Sequence, residues 1–183
     1  MAHFTFDSEQ QFELGIDLQV TDYSTGMIRG GEAGFHVLTG IDAGRVGVTI
    51  EVLNAEPKPD TSDWEDVVEF PLTLKSRAAV LHDYFDTRSA VRVDLRMSGR
   101  LMVRVSAHGR DVALDSASMM DELYRLQFWL ADTARSAVGS RVIKADSEAS
   151  AFRLRTLQPA PGGLEGNFTA RTQGDPSDGE ENY

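Results

Sequence analysis

Cysteine is absent from all 183 residues, which excludes disulfide frameworks, thiolate metal sites and cysteine nucleophiles. No apolar run approaches the roughly 20 residues that a membrane-crossing helix needs. The start, "MAHFTFDSEQQFELG", lacks a basic segment followed by an apolar one, so it does not read as a secretory leader. Positive charge is scarce: 18 Lys and Arg stand against 29 Asp and Glu, a formal net charge of -11. Such a surface repels phosphate backbones and anionic lipid alike, so neither nucleic acid nor a membrane is an expected partner. The glycine-rich "IRGGEAG" has neither the GxGxxG spacing nor a Walker lysine. GxSxG, HExxH and EF-hand patterns are missing too. Composition therefore points to a cytoplasmic protein with no cofactor, no metal site and no catalytic set.

The hydrophobic residues, 41% of the chain, are ordered mainly with period two, the mark of half-buried strands. In "ELGIDLQV", Leu14, Ile16, Leu18 and Val20 share a face. In "RVGVTIEV", Val46, Val48, Ile50 and Val52 do the same, and "GFHVLTG" is a short strand bounded by glycines. "AVRVDLRMSGRLMVRVSAH" reads as a hairpin. A loop of Ser98, Gly99 and Arg100 sets Met97 against Leu101 and Asp94 against Arg104, keeping the apolar side chains on one side. "TSDWEDVVEFPL" alternates as well, except that Asp66 falls on the apolar face with Val68, Phe70 and Leu72. A bulge at Asp66, or a strand starting at Val67, would remove the conflict. Pro71 suggests an edge or a strand end.

Two stretches keep two readings. "LTLKSRAAVLHDYFD" suits either a strand pair or a short helix. In "SASMMDELYRLQFWLADTARSAVG", Met119, Leu123, Leu126 and Leu130 fall at helical spacing behind a Ser118/Asp121 cap, which gives a helix over 118–138. The rival is a strand in which Tyr124, Leu126, Phe128 and Leu130 alternate with Arg125, Gln127 and Trp129. From Gln158 on, Gly, Pro and small polar residues dominate, and too few apolar groups remain to offset the entropy of ordering. That tail carries five acids against one arginine, a net -4, which leaves -7 for the body. The expected organisation is one domain over 1–157 and a disordered acidic tail over 158–183.

The segments "LTGIDAGRVGVTIEVLNAEP", "DWEDVVEFPL", "VRVSAHGRD" and "YRLQFWLAD", followed by "RVIKADS", occur in that order. Together they resemble an uncharacterised family of small β-rich proteins abundant in high-GC bacterial genomes. In that family the tryptophan of the fourth segment is usually followed by proline, where this chain has Leu130. The resemblance implies an antiparallel β-sandwich, jelly-roll-like, and no activity. A more distant likeness runs to the small acidic inhibitor of the bacterial competence nuclease, whose β-rich body also begins with a Phe-rich strand.

Candidate sites are few. Glu65 and Glu69 on a strand lie ~13 Å apart, beyond the ~5–9.5 Å of glycosidic carboxylate pairs. Asp63 and Glu65 stand closer, yet a solvated acidic face is the simpler account. His82, Asp83 and Asp86 make a poor metal set without a second, distant histidine. His36 points away from Phe35 and Val37 and reads as an exposed strand histidine. In "HGRD", Gly109 suits a left-handed turn that Arg110 and Asp111 would fix by local bonds, with anion binding as the rival reading. The residues expected to meet a partner are Trp64, Glu65, Glu69, Arg110 and Trp129, with the tryptophans as aromatic anchors. The expected function is that of an acidic, non-enzymatic interaction module, of the immunity or inhibitor type, for a basic protein such as a toxin nuclease. A small-molecule-binding sandwich is the alternative, an enzyme a more remote one, and composition does not fix the oligomeric state.

Overall fold

The computed structural model describes residues 3–8, 23–31, 33–41, 44–83, 87–111, 122–132 and 139–157. The expected strand over "ELGIDLQV", the Ser118/Asp121 cap and the tail from Gln158 lie outside them. Eleven strands are described: β1 (His3–Ser8), β2 (Tyr23–Ser24), β3 (Ile28–Gly31), β4 (Gly34–Leu38), β5 (Gly47–Val52), β6 (Asp66–Leu74), β7 (Ala78–Asp83), β8 (Val91–Asp94), β9 (Gly99–His108), β10 (Leu123–Leu130) and β11 (Arg141–Ala145). A 3-10 turn spans Thr87–Ser89, and one α-helix, α1, spans Glu148–Leu157. The first sheet runs β2-β3-β4-β1-β7-β8 and the second β11-β6-β9-β10-β5.

The two sheets face each other as a sandwich, and aromatic rings join them. Phe6 of β1 meets Phe128 of β10 at 5.0 Å between ring centres, Phe35 of β4 meets Phe70 of β6 at 4.9 Å, and Phe4 meets Tyr124 at 5.2 Å. The alternating residues Val68, Phe70, Leu72 and Leu74 from β6 and Leu101, Val103 and Val105 from β9 complete this core. The expected mainly β fold is thus found. One pairing is not antiparallel: β5 lies parallel to β10, with Val48 beside Tyr124 and Val52 beside Phe128.

Strand pairing decides several local expectations. The Met97–Leu101 hairpin does not form, because β8 pairs with β7 in the first sheet while β9 pairs with β6 and β10 in the second. Asp94 directs the crossing. Its Oδ1 accepts the Arg96 N–H at 2.8 Å, while its Oδ2 is taken by Arg77 at 3.0 Å rather than by Arg104. Arg96 adopts the left-handed φ of 58° that turns the chain out of the first sheet. Second, of the two readings kept for Leu123–Leu130 the strand is the one found, held along both edges by β9 and β5. Third, "LTLKSRAAVLHD" holds the end of β6 and the whole of β7, which belong to opposite sheets.

Strand β6 begins at Asp66 and pairs with β9 without a bulge; the register shift lies opposite, in β11, between Val142 and Lys144. Pro71 is tolerated because β11 reaches only to Glu69, so no neighbour on that flank needs its missing N–H. His36 is buried, not exposed, and its Nδ1 lies 2.8 Å from Thr5 Oγ1 on the next strand.

Helix α1 carries its start signal in "DSEAS". Ser147 Oγ accepts the Ser150 N–H at 3.1 Å, a standard N-cap bond. Asp111 accepts the Glu148 and Ala149 N–H groups at 2.7 and 3.0 Å. The expected left-handed turn at Gly109 is present, with φ 76°, but Arg110 and Asp111 reach across the molecule instead of bonding within it.

Candidate functional site

The second sheet is covered on both faces. Since Val103, Val105 and Ala107 enter the core, strand alternation sends Arg104, Ser106 and His108 to the outer face. There the register sets Arg104 beside Gln127 and Glu69, Ser106 beside Arg125, and His108 beside Leu123. Residues 53–65 pass over this face as a strap.

Its backbone is held from beneath by cations. Arg104 donates to the carbonyls of Pro57 at 3.0 Å and Lys58 at 3.2 Å. Lys144 donates to those of Trp64 at 2.8 Å and Thr61 at 3.1 Å. The Arg125 guanidinium lies 4.6 Å from the centre of the Trp64 ring, with Asp60 at 3.6 Å. Pro57 and Pro59 stiffen the same stretch. Asp60 is folded back onto Ser62, whose hydroxyl donates to it at 2.9 Å; that bond above all holds the carboxyl below its ordinary range.

At the end of the sheet, strap and strands enclose an open cleft of about 520 Å³, lined by Ser62, Asp63, Trp64, Glu65, His108, Leu123 and Lys144. Glu65 Oε2 accepts the Arg110 N–H at 3.2 Å, and Oε1 stands 3.7 Å from His108 Nδ1. The Lys144 ammonium, already bonded to two carbonyls, also meets Asp146 at 3.2 Å. The Ser62 hydroxyl at the cleft's rim donates to Asp60. Among the described residues no group of three or more His, Asp or Glu is placed to hold a metal ion.

Of the five residues expected to meet a partner, Trp64 and Glu65 come together in this cleft. The other three are buried, and the idea of a uniformly solvated acidic face is corrected. Glu69 is 1% exposed, accepting from Arg104 Nε at 2.7 Å and from Arg141 at 2.8 Å. Trp129 is 3% exposed beneath the strap, with the Arg104 guanidinium 5.4 Å from its ring centre. Arg110 faces the opposite way, into the sandwich, where it pairs with Asp66 and donates to Ser150, Ser147 and the Leu38 carbonyl. Burial alone would raise the Asp66 carboxyl, but the Ser147 bonds and the Arg110 charge outweigh it and hold it below its ordinary value. Glu122 accepts from the Tyr124 hydroxyl and from the Gly40 and Ile41 N–H groups, and burial pushes that hydroxyl well above its usual range.

Ser62, Asp63, His108, Leu123 and Lys144 complete the cleft beyond what the sequence singled out as binding residues. His108 had a signal in "HGRD". Leu123 and Lys144 had none, since only the sheet register brings them together.

No protein-family model matches the chain, and no curated protein does so. Among solved structures it is similar to the crystal structure of ComJ, inhibitor of the DNA degrading activity of NucA, from Bacillus subtilis. The two are 11% identical over 70% of this chain and 88% of that one, with a TM-score of 0.42. At that level the likeness is coarse, and the architecture stands on the strand pairing and ring contacts above. Among the described residues no helix is long and apolar enough to cross a membrane.

Proposed function

We propose that the protein is a non-enzymatic interaction module that meets a basic protein partner through the strap over residues 53–65. The observation that carries this reading is how the strap is built. Its carbonyls are fixed by Arg104 and Lys144 below, while Glu56, Asp60 and Asp63 stand exposed above against the single Lys58. A loop rigid before binding loses little conformational entropy when it docks. Its charge, in the field of a chain at -11, speeds encounter with a positive surface and rejects negative ones. An enzyme with a basic groove for phosphate, such as a toxin nuclease, is the class of partner that an acidic, preformed loop would occlude, which makes immunity or inhibition the role proposed. The cytoplasm is the compartment proposed, since a chain without cysteine suits reducing conditions.

The test uses the full chain and its E56K/D63K variant side by side. Both are offered as bait to the cell's own proteins, and captured proteins are then purified and their association rates measured across a salt series. The reading expects a basic protein that binds the natural chain with a rate falling steeply with salt, and at least tenfold more slowly to the variant. A partner bound equally by both baits, or an acidic partner, overturns it.

A further inference from the structure

Resting on that reading, we propose that the cleft beside the strap is a receptor for one arginine side chain of the partner. Four features converge on this chemistry. Asp63 is exposed and makes no hydrogen bond or ion pair among the described residues. Glu65, in the cleft lining, is oriented through Oε2 by the Arg110 N–H at 3.2 Å, and its Oε1 stands 3.7 Å from His108 Nδ1, an ion-pair distance for the protonated ring but too long for a hydrogen bond. Trp64 and Leu123 supply an aromatic and an apolar wall, and Leu123 is 41% exposed although it lies on a strand. The one lysine in the lining has its donors taken by the Thr61 and Trp64 carbonyls and its charge offset by Asp146 at 3.2 Å.

An arginine fits this set better than a lysine does. Its planar fork offers several donors to two carboxylates at once, and its weakly hydrated face packs against aromatic rings. The fold already uses that contact on the same side chain, where Arg125 lies against Trp64. An incoming guanidinium would lie over a face of the Trp64 ring, with its methylene stem on Leu123. The strap thus supplies the long-range charge and the cleft the point of registry.

The test is a titration of the isotope-labelled full chain with three acetylated and amidated tripeptides, Gly-Arg-Gly, Gly-Lys-Gly and Gly-citrulline-Gly. Saturable shifts at the Trp64 indole and at the Glu65, His108 and Leu123 amides are expected with the arginine peptide. Citrulline, of the same shape without the charge, should bind at least tenfold more weakly, and lysine more weakly than arginine. D63N and E65Q should each weaken arginine binding several-fold; both keep the side-chain shape, and the glutamine can still accept the Arg110 N–H. Equal binding of the citrulline peptide, equal binding of the lysine peptide, shifts confined to other surfaces, or indifference to both variants overturns the assignment. The two readings fail separately. A basic partner lost with E56K/D63K but insensitive to D63N and E65Q removes the arginine receptor alone. Arginine binding at the cleft with no basic partner removes the docking strap alone.

Discussion

Asp66 and Arg110, 44 positions apart in the chain, close a buried ion pair where both sheets meet helix α1. The same carboxylate accepts from Ser147 Oγ at 2.5 Å, Ser150 Oγ at 2.9 Å and the Ser147 N–H at 3.2 Å. Arg110 in turn donates to the Leu38 carbonyl at the end of β4. One acid on the apolar side of β6 therefore ties a strand of each sheet to the start of the helix.

Replacing Asp66 by alanine leaves the Arg110 charge buried and unpaired, and should cost about 3–5 kcal/mol in urea unfolding. The Asp66 carboxyl titrates below its ordinary value of 3.8. Its contribution is therefore full above that pH and lost as the pH falls through the lower, folded-state value. The gap between the natural protein and D66A should narrow in that acid window and stay constant above it. A D66A chain as stable as the parent at neutral pH contradicts this account.

His82 carries the opposite sign. Its Nε2 lies 3.0 Å from Asp7 Oδ2, and that bond above all raises its titration above the ordinary 6.5. Stability from the charged pair is full below pH 6.5 and lost as the pH rises through the folded-state value. Melting temperatures of the natural chain should fall by about 2–4 °C relative to H82Q across that rise. Parallel pH profiles for the two proteins would show that the pair contributes nothing.

Gly40 is needed for space. A Cβ there would sit 2.0 Å from the Arg110 carbonyl oxygen, a backbone atom that cannot swing aside. Gly40→Ala should destabilise by about 1–3 kcal/mol, the range of core overpacking, while Gly139→Ala, with open space around it, serves as the neutral control.

Trp129 behaves as a second core residue beneath the strap rather than as a partner's anchor. Trp129→Ala should cost about 3–5 kcal/mol in unfolding. Accelerated proteolysis within 53–65 should accompany it, because Arg104 loses the ring it packs on while holding Pro57 and Lys58. Unchanged stability with loss of partner binding would return Trp129 to the interface.

Period-two ordering made β5, β6 and β9 legible from the residues, since one face of each feeds a single core, and flanking glycines marked β4. The same rule misled at Met97–Leu101. A hairpin and a crossing between facing sheets both keep Val93, Leu101 and Val103 turned inward, so alternation cannot separate them. What separates them is Asp94, satisfied locally by Arg96 and Arg77. Alternation also implied a wet outer face for Glu69 and Trp129, which is right for a bare sheet and wrong beneath a strap. At Tyr124–Leu130 the helical and strand spacings overlapped, and pairing along both edges by distant strands decided between them. Asp66 registered as a conflict because its partner lies far along the chain. The cleft was half legible: Trp64 and Glu65 stood out as chemistry, but His108, Leu123 and Lys144 join them only through register.

The parallel union of β5 with β10 has a consequence for how the chain matures. Among the described residues β5 bonds to no other strand of its sheet, and Val48 must wait for Tyr124, Val52 for Phe128. A nascent chain emerging from the ribosome carries this β-branched ribbon unclaimed through the synthesis of more than seventy further residues, a costly loop to close and a tempting template for misassembly. Thr49 and Glu51 interrupt the ribbon's greasiness on alternate positions, the kind of gatekeeping that keeps a waiting strand from finding the wrong neighbour.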